Sequence, residues 1–260
     1  MMRYKTLAAA MLLPSIMLIG CGGEQVTETQ RATSNSANLT GLWRLNFETN
    51  QSGLDAEAGI TYTLTDNGEE INMVACAERQ QATLSRAGNT LTGMPVGAAT
   101  ITSNDSLNAS GGLGDSEATK MSTSAVFDMG NLSVSGGDLG SIASSNICIQ
   151  SDDARILGQA TQERISATTI LNGKPLVLEI SRMGSIGKGT YDVNRDMSEG
   201  GVQIFMKSDA LKSRINRSEM NLRNGSLTIT EDSLVWMKGN FNAEMPNGQL
   251  VAGNFEFEKP

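Results

Sequence analysis

The chain has 260 residues, 20 Lys+Arg against 28 Asp+Glu, a formal net charge of −8 and no histidine. The missing imidazole excludes Ser-His-Asp and Cys-His catalysis and histidine-ligated zinc, copper or haem. The acidic balance offers no basic surface for a phosphate backbone, so nucleic acid is not expected as a partner, while carboxylate chemistry and calcium stay open.

At the start, Arg3 and Lys5 precede the apolar run TLAAAMLLPSIMLIG. A positive end followed by roughly 14 apolar residues is a secretory signal pattern. The run falls short of the about 20 residues that a spanning helix needs, and Pro14 interrupts it. Leu18-Ile19-Gly20-Cys21 resembles the bacterial lipobox. The resemblance implies that residues 1–20 are a lipoprotein signal peptide. It also implies that the Cys21 thiol is acylated, with palmitate-type chains, and becomes the new N-terminus. Each buried CH₂ is worth about 0.8 kcal/mol, so several chains hold a body to a bilayer almost permanently. Gly22 stands where an inner-membrane retention aspartate would be, which implies outer-membrane delivery in a two-membrane bacterium. The side of that membrane stays open. The competing reading is an ordinary signal peptide with an incidental cysteine. Residues 21–38 have no apolar period and are rich in Ser, Thr, Asn, Gln and Glu, the composition of a flexible tether.

Removing Arg3 and Lys5 with the signal takes the net charge from −8 to −10. From Cys21 to Ala160 there are 16 acidic and 6 basic residues; from Thr161 onward there are 12 of each. The step suggests an acidic β subdomain over 39–160, with a Gly/Ser-rich insertion, and a C-terminal β subdomain over 161–260. One larger β domain is the alternative. Only 11 residues are aromatic, so Leu, Ile, Val, Met and Ala must build the core, with methionine filling gaps. With Cys21 acylated, Cys76 and Cys148 remain, and an even pair in an exported chain reads as a disulfide. Two buried free thiols are the other possibility.

From Leu39 onward the period is two. GLWRLNFE sets Trp43, Leu45 and Phe47 on one face and Leu42, Arg44, Asn46 and Glu48 on the other. ITYTLTDNGEEINMVAC puts Ile60, Tyr62 and Leu64 together, turns at Asp66-Asn67-Gly68 and continues through Ile71, Met73 and Ala75. Asn-Gly is a hairpin signal because both residues tolerate positive φ. It recurs at Asn172-Gly173, Asn224-Gly225 and Asn247-Gly248, so turns are expected at each. The fold class expected is all-β, an antiparallel sandwich or barrel with at most one or two short helices after the signal. Residues 102–146, rich in Gly, Ser, Asn and Asp, read as a long loop crossed by short strands at SAVFDM and NLSVS. Residues 207–223, KSDALKSRINRSEMNLR, read as a short basic helix capped near Ser208 or Asp209. Such a segment suits lipid phosphates, or simply a solvated face that offsets the acidic half.

The best metal candidate is DVNRDMSEGGVQ, in which Asp192, Asn194, Asp196 and Ser198 alternate as oxygen donors like the first positions of a calcium loop. Met197 replaces the turn glycine and Gln203 the bidentate glutamate, and a polar turn explains the same letters. Acidic pairs at Asp55/Glu57, Glu69/Glu70 and Asp152/Asp153 would do glycosidase work only if two carboxylates met about 5–10 Å apart in a cleft. Gly184–Thr190 lacks the spacing of a phosphate loop.

Two further resemblances bear on the body. Gly41-Leu42-Trp43 resembles the G-x-W opening of lipocalins, which implies a barrel around a small apolar ligand. In the second half, GKGTYDV, GSLTITEDSLVWMKGNFNAEM and GQLVAGNFEFEK are similar to the ending of bacterial lipoprotein β domains of unknown function, with Tyr191, Phe241 and Phe255 as inward aromatics. That likeness implies a fold and carries no catalytic residues. The expected role is non-enzymatic, a lipid-anchored envelope protein that binds or supports something. The partners are the membrane itself and an envelope protein or apolar ligand, and no cofactor is required. A lipocalin-like carrier and a carboxylate- or calcium-dependent enzyme are the alternatives.

Overall fold

Buried Trp43 and Leu45 alternate with half-buried Arg44 and exposed Asn46 along β1 (Gly41–Gln51), and this period of two runs through the whole body. The computed structural model describes residues 37–51, 54–76, 79–94, 97–111, 114–156, 159–195, 197 and 200–259. The expected signal peptide, Cys21, most of the tether, Asp196 and Ser198 lie outside those residues.

β1 is followed by β2 (Leu54–Asp66), β3 (Glu70–Ala75), β4 (Gln81–Ala87), β5 (Thr90–Met94), β6 (Gly97–Ile101), β7 (Ser106–Gly111) and β8 (Gly114–Ser122). Each pairs antiparallel with the next, and β8 returns to pair with β1 from Leu42↔Ser122 to Asn46↔Glu117. The eight strands therefore form a closed up-and-down barrel without a free edge in the ring. Trp43, Leu45, Leu64, Ile71, Leu84, Leu91 and Leu107 fill part of its interior.

The second body has β9 (Gly130–Gly136), β10 (Gly140–Ser144), β11 (Cys148–Ile156), β12 (Gln159–Leu171), β13 (Lys174–Arg182), β14 (Gly189–Val193), β15 (Val202–Lys207), β16 (Glu219–Asn221), β17 (Arg223–Asp232), β18 (Trp236–Glu244) and β19 (Leu250–Glu258). One run of pairings is β10-β9-β19-β18-β17-β14, the other β11-β12-β13-β15-β16. The runs meet in parallel at Val193↔Val202 and, across the body, through a 2.5 Å contact between the Ser144 and Thr169 hydroxyls. Both face one apolar core that includes Phe241, Phe257, Leu178 and Ile204. Leu42 points out of the barrel into this second core, which is why an apolar residue sits on the otherwise polar face of β1.

The two bodies share backbone. β2 pairs with β3 over 62–66 and with β11 over 54–59, so one long strand serves both. A disulfide between Cys76 and Cys148, with Cα atoms 5.6 Å apart, crosses the same junction. Thr61 Oγ1 donates to the Ile149 carbonyl (2.8 Å). Arg79 Nη2 donates to the carbonyls of Asn146 and Thr168 (both 3.0 Å), and its guanidinium lies 4.2 Å over the Phe127 ring. Burial pulls the Arg79 pKa down to about 10, still high enough to keep the charge at neutral pH.

The Asn-Gly signals divide. Asn172 and Gly173, at φ 50° and 74°, make the two-residue turn between β12 and β13. Asn67-Gly68 and Asn247-Gly248 also turn. Asn224-Gly225 does not: it lies inside β17, at a register shift between Arg223 and Ser226. Asn224 has φ 50° there, and a Cβ on Gly225 would stand 2.0 Å from the Asn242 carbonyl oxygen. The pair makes a bulge because a left-handed residue serves a bulge as well as a turn.

Residues 102–146 are mostly strand (β7 to β10), not loop. NLSVS falls in β9, whereas SAVFDM is a connection that buries Phe127 and Met129. In 207–223 only Asp209–Leu211, a 3₁₀ turn, and α1 (Lys212–Ile215) are helical. Ser208 caps the turn by accepting from Ala210 N (3.1 Å), Lys207 ends β15, and after residues 216–218 the chain enters β16 and then β17.

The disulfide closes a sequence separation of 72, worth about 4 kcal/mol by loop-closure entropy. Cys76→Ala/Cys148→Ala should lower the urea-unfolding free energy by roughly 2–4 kcal/mol while the far-ultraviolet dichroism of the folded state stays unchanged. An unchanged midpoint would show that the β2–β11 pairing holds the junction alone.

Candidate functional site

One end of the eight-stranded barrel is sealed by the chain that enters it. Leu39 is fully buried, its N–H donates to Asp66 Oδ2 (3.0 Å), and its carbonyl accepts from Trp43 Nε1 (2.8 Å). Arg86 and Asp66 face inward by their register and pair at 3.1 Å, with side chains only 6% and 9% exposed. Arg86 Nη1 also donates to the Ala37 carbonyl (2.8 Å). Lys120 Nζ lies 5.1 Å over the Trp43 ring and donates to the Asn38 carbonyl (2.7 Å). Residues 37–39 thus form a stopper tied to three inward charged side chains.

Away from this seal the lining changes character. Register places Ala75 with Tyr62, Ala82 with Met73, Ala99 with Leu91, Ala109 with Ala99, and Ser116 with Ala109, all facing in. Larger neighbours share this side: Leu45, Met73 and Met94 are buried with Ala99 and Ala109 in the barrel's apolar core. Ile60, Ala75, Ala82 and Ser116 face inward and are half-accessible, and Ile60 and Ala82 pack against the barrel's apolar core.

Tyr62 belongs to the same core. It is 2% exposed, and its hydroxyl has no hydrogen-bond partner among the described groups. Burial pushes the phenol well above its usual range, so the group stays a protonated donor. A buried hydroxyl without a partner costs about 1–3 kcal/mol, which a bound acceptor would recover. The arrangement offers one buried, unpartnered hydroxyl donor within an apolar interior.

The other candidates do not assemble. Asp192 is exposed on β14 opposite Ser226, and Asn194 follows the strand; Asp196 and Ser198 lie outside the described residues. No three of His, Cys, Asp or Glu come together as a metal-binding group among the described residues. Glu69 and Glu70 are exposed at and beside the β2–β3 turn, and Asp152 pairs with Arg164 at 3.1 Å. The side chains of Asp55, Glu57 and Asp153 are not among those described. In the sequence Tyr62 is one more apolar-face residue; only closure of the ring turns that face into an interior.

No family model, curated protein or solved structure matches the chain.

Tyr62→Phe removes an unpartnered hydroxyl and should leave the unfolding free energy of ligand-free protein unchanged or up to about 1 kcal/mol higher in a urea titration. Asp66→Ala leaves Arg86 charged and buried, and should cost about 3 kcal/mol in the same assay. A destabilised Tyr62→Phe would mean that the hydroxyl is bonded in solution.

Proposed function

We propose that this chain is a lipid-anchored envelope protein that acts by binding, without catalysis, and that its eight-stranded barrel takes up a small apolar molecule. The observation that carries the reading is the set of small inward side chains (Ala75, Ala82, Ala99, Ala109 and Ser116) beside the unpartnered Tyr62 hydroxyl. Apolar pockets of this kind fix orientation with a few polar groups, and here one phenol does so. The sealed end supports the same reading, because it leaves the other end of the ring as the side from which a ligand would enter. The G-x-W opening fits too, because Trp43 is the floor on which the stopper rests. The lipobox supplies the address, placing the barrel within reach of apolar molecules that leave or enter a bilayer.

The binding claim is tested with N-phenyl-1-naphthylamine, displaced by a medium-chain alcohol. Ala99→Leu/Ala109→Leu fills the lining and should weaken probe binding at least tenfold. Tyr62→Phe should weaken the alcohol about fivefold, one hydrogen bond's worth, and leave the probe unaffected. Native mass spectrometry of protein taken from envelopes should show a bound lipid-like mass. No probe binding by the wild type, or equal binding by the filled variant, would contradict the reading. The address is tested separately: labelled palmitate should enter the wild type and not Cys21→Ser, and Cys21→Ser should no longer sediment with envelopes.

A further inference from the structure

The segment Arg217-Ser218-Glu219-Met220-Asn221-Leu222-Arg223 runs through β16 into β17 with strict alternation. Met220 and Leu222 are buried in the second core, so Arg217, Glu219, Asn221 and Arg223 take the opposite, outer face. Phe205 of β15 stands directly across from Asn221 and shares that face, half-exposed. Arg195, beyond β14, and Pro246, in the β18–β19 turn, complete the wall. These side chains enclose a pocket of about 270 Å³ on the surface of the second body.

The pocket carries three guanidinium groups against one carboxylate. Arg223 is held in place by donating to the Pro246 carbonyl (3.2 Å). The Arg195 and Arg217 side chains make no hydrogen bond or ion pair among the described residues. On the floor, Asn221 Oδ1 is buried and also without a partner. An apolar ligand would gain nothing from this set. A bare anion would use the arginines and leave Asn221 and the Phe205 ring idle. The complete set matches a ring with three kinds of surface: an anionic substituent for planar guanidinium donors, hydroxyls for Glu219 and the Asn221 amide, and a C–H face for Phe205. Ligand pockets for drug-sized molecules start near 300 Å³, so the space suits one ring and not a chain of them.

We propose that the Arg195–Arg217–Arg223 pocket binds a single sugar ring bearing a phosphate or carboxylate, either free or as the head of a glycolipid. The site is independent of the barrel interior: it uses β15, β16 and β17, and its success or failure leaves the apolar reading of the barrel untouched.

The test is isothermal titration of the mature full-length protein in neutral detergent. The probes are glucose 1-phosphate, galacturonate, glucose and inorganic phosphate, plus a short-chain phosphorylated glycolipid. The two anionic sugars should bind, and glucose and inorganic phosphate should each bind at least tenfold more weakly. Arg217→Ala/Arg223→Ala should lose at least tenfold for the anionic sugars with its melting temperature unchanged. Arg217→Ala alone, which leaves the Pro246 contact intact, should lose part of that. Either equal affinity for glycolipid and soluble sugar, or a tenfold preference for the glycolipid, supports the site; the first names a free ligand and the second a headgroup. The proposal is overturned if neither anionic sugar binds, if inorganic phosphate binds as tightly as they do, or if the double variant binds like the wild type.

Discussion

β2 is the strand on which the rest of the structure depends, because one of its edges is divided between two partners. Residues 62–66 complete the barrel with β3, and residues 54–59 leave the ring to pair with β11. A continuous backbone ladder is stiff, so the orientation of the two bodies is fixed by hydrogen bonds and not by a linker. The Cys76–Cys148 disulfide and the Arg79 guanidinium close the same junction from the β3–β4 side. Desolvating Arg79 is costly, and it is repaid by two carbonyls and an aromatic face in a place where a mobile side chain would leave the seam open.

That junction explains the asymmetry of the barrel. The end away from β11 carries the stopper, where Leu39, Asp66, Arg86 and Lys120 spend charge and hydrogen bonds on closing the ring. On the other side the inward positions include Ala75, Ala82, Ala99, Ala109 and Ser116 near Tyr62, together with buried Leu45, Met73 and Met94. The small inward side chains beside Tyr62 are the feature on which the proposed binding role rests.

Much of the fold was legible because strand physics is local. The alternation in GLWRLNFE, the Asn172-Gly173 turn and the even cysteine pair each follow from a few adjacent or countable residues. What escaped was long-range. Asn224-Gly225 reads as a turn until Glu244 and Asn242 on the neighbouring strand show that the chain continues. Residues 102–146 read as loop because β7 and β8 bury Leu107, Ala109 and Ala118 among Ser, Asn, Gly and charged residues and so carry little apolar signal. The pairing of β8 with β1 spans roughly 80 residues and leaves no trace in either segment alone, yet it is what turns a sheet face into an interior. The arginine pocket escaped for the same reason: residues 207–223 read as one basic helix, whereas β16 sets their side chains on two faces.

The most direct measurement of the central claim is ¹⁹F resonance of fluorotyrosine-labelled protein during titration with a medium-chain alcohol. Tyr62 and Tyr191 sit in different bodies, the first in the barrel and the second against the other core. A ligand inside the barrel shifts the Tyr62 signal in saturable fashion and leaves Tyr191 in place. If the Tyr62 resonance stays fixed while the alcohol saturates the solution, the barrel is a scaffold and not a container.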